Sequence, residues 1–591
     1  MTADPAASQE PLLANITSRK TISLNGRWQY IMDPYETGFY DFRWQEKRID
    51  DRSAYWNSDK PANKTELKEY GFSDQFTLRV PGDWNSQAEK FLYYEGSVWY
   101  KRTFSPGPKK AGARYFIYFG AVNYKADVYL NGKKLGGHKG GFTAFNVEVP
   151  AELLRAHDNE LVLHVDNRRY KDEIPTLNTD WWNYGGITRD VYFVEVPEVH
   201  IQDYSIALQK DSRTEVVGWI QVKAATPTPV TLEIPELNWK REWLAVDGRV
   251  NFSDSIPGLQ LWSPEKPRLY RVVVSVQGEK LSDRIGFRDI QVKGNQVFLN
   301  GEKIFLRSVC VHEEMPKEGR RAWSAADARK LLAQARLLNA NMVRLAHYPH
   351  NENMARMADS MGIMVWSEIP VYWTIDFTDP EVLKKAKTQL QEMIARDHNR
   401  ASVIIWSVGN ETPVNESRTA FMRSLLEEAR RLDGTRLVSA ALLAHGSNGV
   451  TVVDDPLGEY VDLLCINEYY GWYIGLPSSI RDVQWQVKYD KPFFISETGG
   501  EALGGFHGDS LTRWSEEYQA WVYREQINMF RRLPPGFCGV SPWLLNDFRS
   551  PRRNNPYYQQ GWNNKGLFDR RGREKLAAGI LRSYYHSLIK R

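Results

Sequence analysis

The chain runs to 591 residues, too long for a single hydrophobic core, and its length alone points to about three or four domains. Its charge is nearly balanced, 77 basic against 73 acidic residues for a net +4, which gives no footing for a nucleic acid or an anionic membrane as partner. No apolar run approaches the ~20 residues of a membrane span, and three cysteines without a C-x-x-C spacing argue against a disulfide framework and a cysteine-held metal.

Residues 1–20 read as an extended tail, and positions 1–9 are small and polar without the apolar centre of a signal peptide. That start fits a cytoplasmic protein, or a periplasmic one whose signal has been removed. Residues 1–199 otherwise show short strands separated by turns. The runs 113–119 and 126–130 are rich in β-formers, and Asn131-Gly132 is a strong hairpin signal. With 145–149 and 160–165 they predict an antiparallel sandwich. Residues 200–292, with strands at 216–222 and 270–276, fit a smaller immunoglobulin-like sandwich without its disulfide.

Over 293–591 the rhythm becomes strand, helix, strand, helix. Strands are expected at 304–311, 342–345, 363–366, 403–408, 436–440, 463–466, 493–496 and 539–543. Helix 325–339 starts at the Ser324 N-cap and carries Leu331, Leu332, Ala335 and Leu338 on one face. Eight strands in that length predict a (β/α)8 TIM barrel. Cys310, Cys465 and Cys538 fall in or beside expected strands, as small buried hydrophobes do.

Two glutamates stand just past such strands. Glu411 ends Trp406-Ser407-Val408-Gly409-Asn410-Glu411, and Glu497 ends Phe493-Phe494-Ile495-Ser496-Glu497. Acetal hydrolysis needs two carboxyl groups, one protonated to release the leaving oxygen and one ionised to face the anomeric carbon. On this strand count Glu411 follows strand four and Glu497 strand seven, so both lie on the carboxyl rim where barrel chemistry is done. Aromatics make up 13% of the chain, with 21 Trp and 30 Tyr, and their flat faces suit sugar rings and ordinary cores alike. His347 and His350 lack the partners a zinc site needs, so no metal and no cofactor is expected.

Three sets of motifs in this order resemble glycoside hydrolase family 2 over nearly the whole chain: Val128-Tyr129-Leu130-Asn131-Gly132 with the glycine-rich run 136–142, Arg344-Leu345-Ala346-His347-Tyr348-Pro349, and the run ending at Glu411. The resemblance implies a jelly-roll sandwich, an immunoglobulin-like sandwich and a catalytic barrel. Within the family the similarity is to β-glucuronidases, carried by Asn467-Glu468-Tyr469-Tyr470-Gly471-Trp472-Tyr473, by Asp180-Trp181-Trp182-Asn183-Tyr184-Gly185-Gly186, and by Asn563-Asn564-Lys565. It implies a retaining mechanism with Glu411 as acid and then base and Glu497 as nucleophile. Asn410 would bond the sugar 2-hydroxyl, Tyr469 the nucleophile, and Tyr473 the sugar or its carboxylate. Asp180 and His312 would meet the 3- and 4-hydroxyls, Trp543 would floor the ring, and Asn563 and Lys565 would hold the uronate.

The chain also departs from that pattern. Gln559 stands where those enzymes tend to carry arginine, and Glu497 is followed by Thr498-Gly499-Gly500-Glu501 instead of an aromatic-glycine pair. Arg549, Arg552 and Arg553 form a basic cluster that reads either as a bidentate clamp, Arg553 foremost, or as a solvated run. The expected activity is hydrolysis of terminal β-D-glucuronides. A family 2 β-galactosidase or β-galacturonidase with the same catalytic pair is the alternative, and a non-enzymatic carbohydrate-binding scaffold is disfavoured because both carboxylates are present. The expected partner is a carbohydrate, with self-association into a homo-oligomer left open.

Overall fold

The computed structural model describes residues 11–589 apart from 59, 60, 62, 67–69 and 448. The first half of the expected tail, residues 1–10, lies outside the described residues. The second half packs where the two sandwiches meet. Leu13 and Ile16 are buried, Leu13 N donates to Asn146 Oδ1 at 2.8 Å, and Asn15 Nδ2 donates to Ser282 O at 3.0 Å. Apolar side chains at 12, 13 and 16 give this stretch a reason to bury itself.

The first sandwich stacks a four-stranded sheet on a six-stranded one, with every pairing antiparallel. Lys125–Leu130 and Lys133–Lys139 are joined through Asn131 and Gly132, at φ +50° and +79°. Both residues adopt the left-handed conformation that a two-residue hairpin turn demands and that Asn-Gly tolerates best. The second sandwich packs a three-stranded sheet on a four-stranded one around Tyr204, Ile220, Leu232 and Val274.

The barrel closes through a divided first strand. Its first half, Leu306–Arg307, pairs in parallel with strand eight, Phe537–Val540, and its second half, Cys310–Val311, pairs with strand two, Met342–Leu345. Strands three to seven are Met364–Glu368, Val403–Asn410, Leu437–Leu442, Leu464–Asn467 and Phe493–Glu497. A three-stranded antiparallel sheet over 290–303 leads into the barrel, and Ile290, Val297 and Leu299 pack in one cluster with Leu306, Met364, Ile404 and Phe494. Cys310, Cys465 and Cys538 are buried and unpaired.

Helix Ala325–Leu337 begins on a capping box in which Ser324 and Asp327 bond each other's backbone N–H. Six α-helices occur among the described residues where a regular barrel has eight. After strand five the chain makes a 3-10 turn at Pro456–Glu459, and after strand six another at Pro477–Asp482. The segments 445–447, 450–453 and 484–487 pair as a small side sheet there. Proline at the first turn of each, with short apolar runs between, leaves no helical period long enough to propagate.

The sandwich is clasped to the barrel by buried ions. Arg189 Nη2 lies 3.1 Å from both oxygens of Glu313 and donates to Pro349 O at 2.6 Å, while its Nη1 donates to Phe142 O at 2.7 Å. Arg321 shares the Glu313 carboxylate, whose pKa falls to about 2 because the two guanidiniums outweigh its burial. Removing one partner of such a buried set leaves an uncompensated charge, at a cost of about 3–5 kcal/mol. Arg189→Ala should therefore lower the thermal unfolding midpoint clearly, while Arg423→Ala, which breaks an exposed pair with Glu427 and a surface contact with the Tyr460 ring, should barely move it. Equal midpoints for the two variants would contradict the clasp.

Candidate active site

Three strand ends converge on one guanidinium. Arg344, on strand two and fully buried, donates from Nη1 to Glu497 Oε1 at 2.8 Å and to Ser496 O at 3.1 Å. Its Nη2 donates to Asn410 Oδ1 at 2.8 Å and to Glu368 Oε1 at 3.1 Å. The ends of strands three, four and seven therefore meet on one cation carried by strand two. Glu368 is held well below the usual carboxylate range, to about 2, because Arg344 and His347 outweigh its burial.

Glu497, the last residue of strand seven, also accepts from Tyr469 OH at 2.7 Å through Oε2. Burial pushes its pKa up, the charge of Glu411 adds to the rise, and Arg344, His347 and the Tyr469 hydroxyl oppose it. Glu411 follows strand four in the left-handed region, at φ +49°. A non-glycine residue there is strained, as chain turns at working sites often are. Its Oε1 accepts from Asn467 Nδ2 at 2.9 Å and its Oε2 from Trp373 Nε1 at 2.8 Å. Asn410 Oδ1 is held by Arg344 and by Asn467 Nδ2 at 3.1 Å, so its amide N–H groups are the end left to donate.

His312 and Trp543 lie under this rim. The His312 ring is buried among Trp181, Tyr348, Trp543 and Phe548, and Nδ1 pairs with Tyr348 OH at 3.1 Å. Burial, with His347, His350 and Arg344 nearby, lowers its pKa well below the ordinary value, so the ring is neutral. Its Nε2 has no partner among the described residues. One face of Trp543 stacks on His347 at 4.8 Å between ring centroids.

A second cluster joins the sandwich loop to the end of the barrel. Asp180 accepts from Ser550 Oγ at 2.5 Å and from Asn563 Nδ2 at 3.3 Å, and Arg553 closes both ends of its guanidinium fork on it. Tyr473 OH accepts from Arg553 Nη1 at 3.0 Å and from Lys565 Nζ at 2.8 Å. Lys565 Nζ also donates to Glu501 Oε1 at 3.1 Å, and Asn563 Oδ1 accepts from the Lys565 backbone N–H at 3.2 Å. The clusters meet at Tyr469, whose ring lies 5.2 Å from that of Tyr473 and 5.7 Å from Lys565 Nζ.

All eleven residues singled out from the sequence thus fall into one connected region. The basic cluster disperses instead: Arg553 goes to Asp180, Arg552 stacks over Trp373 at 4.8 Å, and Arg549 lies 5.2 Å from Trp562. Arg344, Glu368, Trp373, Asn467 and Glu501 were missed as site residues. Arg344 and Asn467 lie within motifs named above, Glu368 lies two residues past the strand expected at 363–366 and ends the observed one, Glu501 closes the run that departs from the family pattern, and Trp373 sits on a loop that no local pattern marks. No group of three or more His, Cys, Asp or Glu among the described residues is placed to hold a metal ion. Chemically, the region offers one carboxylate pinned by a cation and a phenol, a second carboxyl held by N–H donors, and, beyond them, the neutral His312 ring and the ion pairs Arg553–Asp180 and Lys565–Glu501.

Residues 21–197 match the sugar binding domain and residues 290–588 the TIM barrel domain of glycosyl hydrolases family 2, and residues 199–288 between them match a further model of the same family. A β-glucuronidase of Paenibacillus borealis is 26% identical over 597 aligned positions, spanning 91% of this chain and 96% of the relative. That of Sus scrofa is 27% identical, spanning 97% and 91%. Among solved structures, a β-glucuronidase of Faecalibacterium prausnitzii superposes with a TM-score of 0.80 at 26% identity, covering 97% of this chain and 98% of that one. A β-galacturonidase of Eisenbergiella tayi bound to glycerol gives 0.80 at 25% identity, covering 98% of both. With its barrel and both sandwiches matched in order, the chain belongs to glycoside hydrolase family 2.

Proposed function

We propose that this chain is a retaining exo-β-glycosidase that hydrolyses terminal β-D-glucuronides. Glu497, fixed by Arg344 and Tyr469, attacks the anomeric carbon while Glu411 gives its proton to the glycosidic oxygen. The carbon–oxygen bond breaks and leaves a glycosyl ester on Glu497. Glu411, now a carboxylate, takes a proton from water as that water attacks the same carbon and frees Glu497. Two inversions return the β-anomer. The neutral His312 offers Nε2 to a sugar hydroxyl, and Asn410 offers its amide N–H to the 2-hydroxyl.

The observation that carries the sugar reading is Lys565. A uronate bears a carboxylate where a hexose bears a hydroxymethyl group, and burying it requires a charge or strong donors in return. Lys565 is 1% exposed, one aromatic ring away from the Tyr469 that holds the nucleophile, with Asn563 behind it. The β-glucuronidase relatives support the same reading.

Glu497→Gln should lower turnover by several orders of magnitude on every substrate with the fold intact, and a variant keeping a tenth of the wild-type rate would remove Glu497 from the mechanism. Glu411→Ala should cripple glycosides with poor leaving groups far more than activated aryl glycosides, whose oxygen needs little protonation. Because burial raises the Glu497 pKa, kcat/KM should climb with pH along an acidic limb lying above the ~4.3 of a free glutamate.

Charge-assisted hydrogen bonds contribute ~1.5–3 kcal/mol. Lys565→Ala should accordingly reduce kcat/KM on an aryl β-glucuronide at least tenfold. Wild-type enzyme that ignores the glucuronide and cleaves an aryl β-galactoside or β-galacturonide would overturn the glucuronide reading.

A further inference from the structure

Lys565 already has a carboxylate partner before any substrate arrives. Glu501 lies four residues past Glu497 on the loop after strand seven and is 1% exposed. Besides Lys565, its oxygens accept from Gln559 Nε2 at 3.1 and 3.0 Å and from the Asn564 backbone N–H at 3.2 Å, with Arg553 Nη1 3.9 Å away. Burial alone would favour the neutral acid, yet Lys565, Arg553 and Gln559 together hold its pKa below the ordinary range, so Glu501 is ionised at neutral pH.

The charges here balance. Lys565 faces Glu501, and Arg553 faces Asp180 through both ends of its fork. A uronate placed against Lys565 therefore brings a second carboxylate to an ammonium that has one, and the two anions repel at close range in a water-poor site. A sugar with a neutral group at that end meets no such opposition.

We propose that Glu501 is a specificity-determining residue: a resident counter-charge that competes with the substrate carboxylate for Lys565 and so sets how strongly the pocket prefers uronides over neutral sugars. The proposal rests on the glucuronide reading and deepens it. A purely structural Glu501, anchoring Gln559 and Asn564, would leave that preference untouched.

Glu501→Gln keeps the shape of the side chain and an oxygen for Lys565 while removing the charge. The ratio of kcat/KM on an aryl β-glucuronide to that on an aryl β-glucoside should rise at least tenfold, through a lower KM for the glucuronide. An unchanged or smaller ratio overturns the proposal. Removing one partner of a buried pair can also weaken folding, so ligand stabilisation supplies a readout independent of turnover. Saturating D-glucuronate should raise the unfolding midpoint of Glu501→Gln more than that of wild type, because the ligand restores the missing charge; an equal or smaller rise overturns the proposal. Wild-type turnover of the glucuronide with an unchanged ratio defeats this proposal alone, whereas no glucuronide turnover by either protein defeats the glucuronide reading and this proposal with it.

Discussion

The buried guanidinium of Arg344 is the interaction on which the rest of the site depends. Its N–H groups reach Glu497, Ser496, Asn410 and Glu368, so the ends of strands four, three and seven are fixed relative to one another by one side chain from strand two. A lysine could not serve, since one ammonium cannot present a planar fork to several acceptors at once. The same charge offsets the desolvation of Glu497, a carboxylate that burial would otherwise drive toward its neutral, non-nucleophilic form. Geometry and ionisation of the nucleophile thus have a common origin.

The first sandwich contributes more than mass. Its loop carries Trp181 into the cluster formed by Tyr348, Tyr372 and Trp543, and Asp180 onto Arg553, Ser550 and Asn563. The clasp between Arg189 and Glu313 holds that loop's parent sheet against the barrel. One end of the sugar site is therefore assembled from two domains, and its charge balance depends on both.

Much of this was legible in the residue pattern. Strand positions in the barrel follow from buried β-branched runs, and Asn131-Gly132 names its own turn because few other pairs tolerate two left-handed residues. The two glutamates could be placed on one rim by counting strands. What periodicity could not show was the absence of regular helices after strands five and six, where 3-10 turns and a side sheet replace them. Nor could spacing reveal partners. Lys565 reads as a cation waiting for a uronate, and Arg553 as a clamp; only the folded chain brings Glu501 to the first and Asp180 to the second. Ion pairs between residues 64 and 373 positions apart leave no local trace in the sequence.

The central claim is that Glu497 forms a covalent ester with a glucuronyl unit. Incubation with 2-deoxy-2-fluoro-β-D-glucuronyl fluoride, followed by peptide mass spectrometry, tests it directly, because the fluorine slows breakdown of the ester while the activated leaving group still departs. The account predicts one fluoroglucuronyl adduct per chain, attached at Glu497 and lost on prolonged incubation with an acceptor. An adduct on Glu411, or an enzyme that cleaves aryl β-glucuronides yet is neither labelled nor inactivated, would contradict it.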